Sequence, residues 1–255
     1  MKNEILELLD LSRSNTHKTH GSMGSIKGSY GLNRYNLDTI FNNYEAVDKY
    51  WGLQEKPTNY SMFRCDLDYK SGKDDEEQPD LELITSNFLL EVRKLLNMFL
   101  VKSNTISKST NRKLDAIILS KPSYIDPEKG IRKFGIHIQF PHIFISKEEF
   151  KFLEEEIKKT KFHGFDPICS KPWLMYGQHK NNYSGTYTIS HIDVGGKKVN
   201  PIEYFVSVKY KIYDIKTETP INYTKENIKN YYPQILSILS NNREDSEITI
   251  PTRRD

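Results

Sequence analysis

Asp66 and Asp68 stand two positions apart behind an apolar lead-in, Met62-Phe63-Arg64-Cys65, with Leu67 between them and Tyr69 after. On a strand, successive side chains alternate faces, so both carboxylates point one way while Leu67 turns into the core. Two carboxylates side by side repel unless a cation lies between them, and hard oxygen ligands suit Mg²⁺ or Mn²⁺. The pattern also suits a polar strand end entering an acidic loop. Such a loop follows: Asp74-Asp75-Glu76-Glu77 lies beside Gly72 and Pro79.

A second candidate is Lys133-Phe134-Gly135-Ile136-His137-Ile138-Gln139-Phe140-Pro141-His142. Phe134, Ile136 and Ile138 share one face of a strand, and Gly135, His137 and Gln139 the other. A glycine two residues before the histidine leaves room for a ligand beside the imidazole. That ring can donate to a phosphate oxygen, more strongly when protonated. His142 faces away, and Pro141 interrupts pairing, which argues against a two-histidine metal site. A satisfied structural histidine is the plainer reading of His137. The third candidate is Gly164-Phe165-Asp166-Pro167, a turn that exposes a carboxylate. It is followed by Lys171-Pro172-Trp173-Leu174-Met175-Tyr176-Gly177-Gln178-His179-Lys180. Trp173 to Tyr176 reads as a short buried strand, after which Gly177 turns the chain so that Lys180 swings back.

The elements that must position these groups follow from periodicity. Residues 1–12 read as a short amphipathic helix, and His17 to Tyr30 as a Gly-rich loop or hairpin. The cations of that loop suit either phosphate approach or plain solvation. Leu37 to Tyr50 reads as a helix capped by Asn36 or Asp38, and Leu81 to Val101 as a long amphipathic helix. Leu114 to Leu119 and Ile131 to Phe140 read as strands. Lys147 to Lys159 reads as a helix with a Ser146/Glu149 capping box. Tyr183 to Val194 and Ile202 to Tyr213 read as two strands joined at Gly195-Gly196, and Thr224 to Tyr231 as a last helix. Residues 1–240 are read as one α+β domain, and 241–255 as a polar tail or linker.

With 255 residues, 36% hydrophobic and 28% charged, the chain has ordinary globular composition. Its net charge of +3 permits nucleic-acid binding without requiring it. Cys65 and Cys169 are the only cysteines and fit neither a zinc nor a disulfide framework. A reducing compartment is expected, and no apolar run is long enough for a membrane span or signal peptide. No Gly-x-x-x-x-Gly-Lys-Ser/Thr loop occurs, so an ATP-driven motor is not expected within these residues.

In order and spacing, the three segments resemble the archaeo-eukaryotic primase superfamily: Asp-x-Asp on a strand, a strand carrying His, then a third Asp. The likeness is to the N-terminal primase domain of the poxvirus-type primase–helicases of large nucleocytoplasmic DNA viruses, with their Gly-x-His and Leu-Tyr-Gly-x-x-Lys-like segments. It spans roughly residues 30–240. The stretch Tyr231-Tyr232-Pro233-Gln234-Ile235-Leu236-Ser237-Ile238 is also similar to one found after the catalytic core.

The resemblance implies a primase fold with a mixed or antiparallel sheet, RRM-like in its catalytic half and flanked by helices. Asp66, Asp68 and Asp166 would hold two divalent ions, Mg²⁺ or Mn²⁺. His137 and Lys180, with Gly135 in the same Gly-x-His, would bind the incoming nucleotide. The implied partners are single-stranded DNA template, NTP or dNTP, and a helicase domain following the tail in a longer chain. The implied setting is viral replication in the host cytoplasm. Two departures stand out: Gly135 replaces a serine found in many relatives, and Leu174 replaces an arginine. One phosphate contact would then come from Arg64, Lys133 or the Lys18/Lys27 loop, or be absent. Two other activities remain compatible: a catalytically silent single-strand-binding or docking domain, and a metal-dependent nuclease.

Overall fold

The computed structural model describes residues 1–72, 79–99 and 114–239. In chain order the strands are β1 (His20–Ser22), β2 (Gly28–Tyr30), β3 (Leu53–Glu55), β4 (Tyr60–Gly72), β5 (Ala116–Ser120), β6 (Tyr124–Asp126), β7 (Ile131–Ser146), β8 (Phe165–Asp166), β9 (Trp173–Leu174), β10 (Thr188–Val194) and β11 (Lys197–Val199). The helices are α1 (Lys2–Leu11), α2 (Arg34–Asn42), α3 (Leu81–Phe99), α4 (Lys147–Lys159), α5 (Pro201–Ser207) and α6 (Tyr232–Ile235). Helices and antiparallel sheets together make an α+β architecture.

The frame is the long antiparallel ladder between β4 and β7, which sets Asp66 opposite His137 and Asp68 opposite Gly135. Its register shifts where Phe63 alone faces Phe140–Ile143, the stretch in which Pro141 has no amide hydrogen to offer. The larger sheet runs β11-β10-β5-β7-β4-β8, with β6 paired to β7; a smaller one runs β2-β1-β3-β9.

One face of the larger sheet presents Cys65, Leu67, Phe134, Ile136 and Ile138 to an apolar layer shared with Phe88, Leu89 and Val92 of α3 and Phe150, Leu153 and Ile157 of α4. The period-two and three-four patterns of these segments meet there. The opposite face carries the polar residues. On it, Ile117 and Leu119 of β5 are covered by Tyr204, Phe205, Tyr210 and Leu236, while the smaller sheet packs with α1 and α2 around Ile5, Ile40 and Trp51. The site therefore lies between two covering layers.

The capping box on α4 is as expected: Ser146 Oγ accepts from the Glu149 amide at 3.2 Å, and Glu149 returns to the Ser146 amide at 2.6 Å. Several boundaries differ from the sequence reading. The helix read over Leu37 to Tyr50 begins at Arg34, capped by Asn33, with Asn36 as the reciprocal member of its box. It stops at Asn42, and two single 3₁₀ turns follow, the second ended by the left-handed Gly52. The strand read over Ile202 to Tyr213 is instead the helix α5. Asn200 accepts from Ile202 and Glu203, and Pro201 opens the first turn, which is a helix-start signature. The hairpin survives with a short return strand, Lys197–Val199. The helix read over Thr224 to Tyr231 is instead a 3₁₀ segment, Ile228–Tyr231, followed directly by α6, with Pro233 in its first turn, where its missing amide costs nothing. The acidic run 74–77 and the tail 241–255 lie outside the described residues.

Phe88 of α3 packs against Phe162 and Phe165, with ring centroids 4.9 and 5.8 Å away. It thereby seats the strand that carries Asp166. Phe88→Ala is expected to lower stability by about 3–5 kcal/mol, read as a reduced urea midpoint with an unchanged m-value.

Candidate active site

Because β4 runs between β7 and β8, Asp66 faces His137 on one side and Asp166 on the other. Asp66, Asp68 and Asp166 each offer a carboxylate oxygen within 4.8 Å of the others. The third strand is tied in by the Asp68 amide, which donates to the Gly164 carbonyl at 2.8 Å. Gly164 has φ +83, and a Cβ there would come within 2.7 Å of the Tyr69 ring, so only glycine permits this approach. After Pro167 the chain is held by buried Glu154 of α4, whose carboxylate accepts from the Ile168 and Cys169 amides.

Burial first, then the neighbouring Asp68, raises the Asp66 carboxyl to about 8; Lys121 opposes and Asp166 adds to the rise. Its Oδ1 is buried without a hydrogen-bond partner. A carboxylate oxygen left bare beside two further carboxylates is the donor set of a divalent hard cation. Lys171 already behaves as a stand-in cation, its Nζ lying 2.7 Å from both oxygens of Asp166. The residues present fit the Mg²⁺ or Mn²⁺ that the primase resemblance implies.

His137 is buried, its ring stacked between Trp173 and Tyr187 with centroids at 3.9 and 3.5 Å. Trp173 is brought there by the pairing of β9 with Glu55 of β3. Glu55 is in turn anchored by Ser237 Oγ at 2.6 Å and the Ile238 amide at 2.8 Å. Burial, then the charges of Lys121 and Arg64, pushes the imidazole well below its usual range. Burial thus favours the neutral ring, whose Nε2 lies 3.7 Å from Asp66 Oδ1. His142 lies outside the site, its Nε2 2.9 Å from the Tyr204 hydroxyl.

The room expected beside Gly135 is filled. A Cβ at that position would meet the Tyr187 hydroxyl at 2.2 Å and Lys121 Cε at 2.8 Å. Lys121 follows β5 directly, and its Nζ sits 4.6 Å from the Tyr187 ring centre and 5.2 Å from that of Tyr124. Neither Lys121 nor Tyr187 belongs to a motif of recognisable spacing. The one sequence signal for Lys121 is a cation directly after an apolar strand. Lys180 is exposed beyond Gly177, whose φ is +76, and its charge reaches Lys121. Arg64, one of the expected phosphate contacts, lies instead beneath the site between Phe150 and Trp173, donating to Ser61 and Met62. Lys133 is committed to Asp126 at 2.5 Å, and Lys18 and Lys27 flank the hairpin of the smaller sheet.

A carboxyl raised in the folded chain holds its proton in the native state and not in the unfolded one, between roughly pH 4 and 8. Stability of the metal-free protein is therefore expected to fall as pH rises through that window. Mn²⁺ should restore it most at the alkaline end, displacing the proton. Urea midpoints across the range, with and without Mn²⁺, check this. Midpoints that climb with pH and ignore Mn²⁺ would contradict it.

Comparison with known proteins agrees with this geometry. Residues 19–192 match the family described as the C962R protein N-terminal AEP domain, where AEP denotes archaeo-eukaryotic primase. The chain is 29% identical over 260 residues to 184R of Invertebrate iridescent virus 6, covering 88% of this chain and 26% of that protein. It is 25% identical over 260 residues to 121R of Invertebrate iridescent virus 3, covering 91% of this chain and 27% of that protein. Both relatives are provisionally named helicases, and the chain spans about a quarter of their length. The match runs over well over half of the chain and contains every residue of the carboxylate–histidine–lysine constellation, so the chain belongs to the archaeo-eukaryotic primase family, as an N-terminal domain of the C962R type.

Proposed function

We propose that this chain catalyses template-directed nucleotidyl transfer, making or extending primers on single-stranded DNA during viral genome replication. The observation that carries the reading is the convergence of Asp66, Asp68 and Asp166 on one face of a twisted sheet, with a bare carboxylate oxygen at its centre. Two bound Mg²⁺ or Mn²⁺ ions would lower the pKa of the attacking 3′-hydroxyl and neutralise charge on the triphosphate and leaving pyrophosphate. The protein's share is placement. Asp66 and Asp68 project side by side from a strand locked by β7, and Asp166 closes the third side from β8. Lys171 must release Asp166 when an ion arrives, which frees an ammonium at the rim of the site. Neutral His137, clamped between two rings, presents an N–H in fixed orientation to a nucleotide phosphate, and exposed Lys180 adds a mobile cation. Exposed Tyr183, with half-buried Tyr124 beside it, suits stacking on template bases, which tolerates any sequence.

The helicase names of the relatives, and the quarter of their length that this chain spans, support a larger protein in which a helicase domain follows. Such a protein would act in the cytoplasm of the infected cell, with NTP or dNTP as the second substrate.

Primer synthesis on unprimed single-stranded DNA, with labelled nucleotides and Mg²⁺ or Mn²⁺, is expected to yield short products from the parent. Asp68→Asn should reduce them at least about a hundredfold without changing the urea midpoint by more than a small amount. A fully active Asp68→Asn would remove the metal assignment. Template binding without synthesis or primer extension would favour a silent binding domain, and DNA degradation without nucleotides a nuclease.

A further inference from the structure

We infer that Lys121, which lies outside all three sequence motifs, is the cation that receives the triphosphate of the incoming nucleotide, on a floor made by Gly135 and Tyr187. The inference rests on the nucleotidyl-transfer reading and names a residue of that same site.

Three observations converge on it. The first is space. Gly135 stands opposite Asp68, and a Cβ there would lie 2.8 Å from Lys121 Cε, 3.2 Å from its Nζ and 2.2 Å from the Tyr187 hydroxyl. The missing side chain is not an opening for ligand; it is the bed on which the lysine lies.

The second is orientation. The Nζ of Lys121 lies over the faces of Tyr187 and Tyr124, at distances where cation–π attraction holds it. Tyr187 stacks on His137, which faces Asp66 across the ladder. The ammonium is thus fixed by rings rather than by a carboxylate, which leaves its three donors for a ligand.

The third is charge. Among the described residues, Lys133 is paired with Asp126 and Lys171 with Asp166, Arg64 lies beneath Trp173, and Lys180 stands exposed at the rim. Lys121 makes no ion pair among the described residues, though the charges of Asp66 and Asp68 reach it, and so does that of Lys180. Two ammonium groups brought into mutual repulsion beside a metal-binding carboxylate cluster form a site for a multiply charged anion. A triphosphate that also ligates the ions satisfies both.

The test is equilibrium binding of an α,β-imido deoxynucleoside triphosphate in the presence of Mn²⁺, for the parent, Lys121→Met, Lys121→Arg and Gly135→Ala. Lys121→Met is expected to weaken triphosphate binding by about 10- to 100-fold. Its binding of Mn²⁺ alone, followed by electron paramagnetic resonance, should be unchanged or tighter, because a repelling charge has gone. Lys121→Arg should recover the larger part of the loss. Gly135→Ala, which displaces the ammonium without removing it, should fall between the parent and Lys121→Met. Parent-like triphosphate binding by Lys121→Met would overturn the role of Lys121 and leave the primase reading standing. Joint loss of Mn²⁺ and triphosphate binding would show a structural role and overturn it too. A parent that binds no triphosphate with Mn²⁺ present would overturn the nucleotidyl-transfer reading, and this inference with it.

Discussion

A slip of one residue between β4 and β7 would turn Asp66 and Asp68 into the apolar layer under α3 and α4 and expose Cys65 and Leu67 in their place. That register is the constraint on which the rest depends. It is fixed by the apolar face under α3 and α4, since each wrong pairing would bury carboxylates there with no countercharge. The irregularity opposite Phe63 confines the distortion caused by Pro141 to the far end of the ladder, so that pairing is regular from Arg64 to Gly72, where the site lies. The third carboxylate depends on the same register, because β8 joins β4 at Asp66 itself.

The polar face that results is electrostatically unsatisfied in a particular way. Burial and mutual repulsion leave Asp66 protonated near neutrality, burial leaves His137 neutral, and Lys171 neutralises Asp166. A divalent cation would displace the proton of Asp66 and draw Lys171 off Asp166, while His137 would stay neutral. A stack of rings and a buried guanidinium, Tyr187, His137, Trp173 and Arg64 in succession, gives the face a rigid wall. That wall is built across the two sheets, so the smaller sheet contributes to the site through Trp173 although it carries none of the three aspartates.

Much of this was legible in the residues. Alternation placed Asp66 and Asp68 on one face and Leu67 on the other, and it separated His137 from Ile136 and Ile138. The order of Asp-x-Asp, Gly-x-His and the third Asp indicated the family without any structure. What periodicity could not carry was proximity between segments distant in sequence. Lys121 and Tyr187 meet Gly135 only because β10 pairs with β5 and β5 with β7, a consequence of sheet order and of no local pattern. Gly135 was read as room for a ligand because a sequence shows the absence of a side chain but not what moves into the gap. Asn200-Pro201 was a readable helix start that the apolar run Ile202 to Tyr213 obscured. Arg64 looked available for phosphate because strand alternation gives a direction, not a depth.

The central claim is that the three carboxylates hold divalent ions at a distance suited to in-line phosphoryl chemistry. It is tested most directly by anomalous scattering from crystals soaked with Mn²⁺ and a non-hydrolysable nucleotide. The account predicts two Mn²⁺ peaks roughly 3.5–4 Å apart, bounded by Asp66, Asp68 and Asp166, with Lys171 drawn off Asp166. No peak between these carboxylates, with the Lys171–Asp166 pair intact, would contradict it.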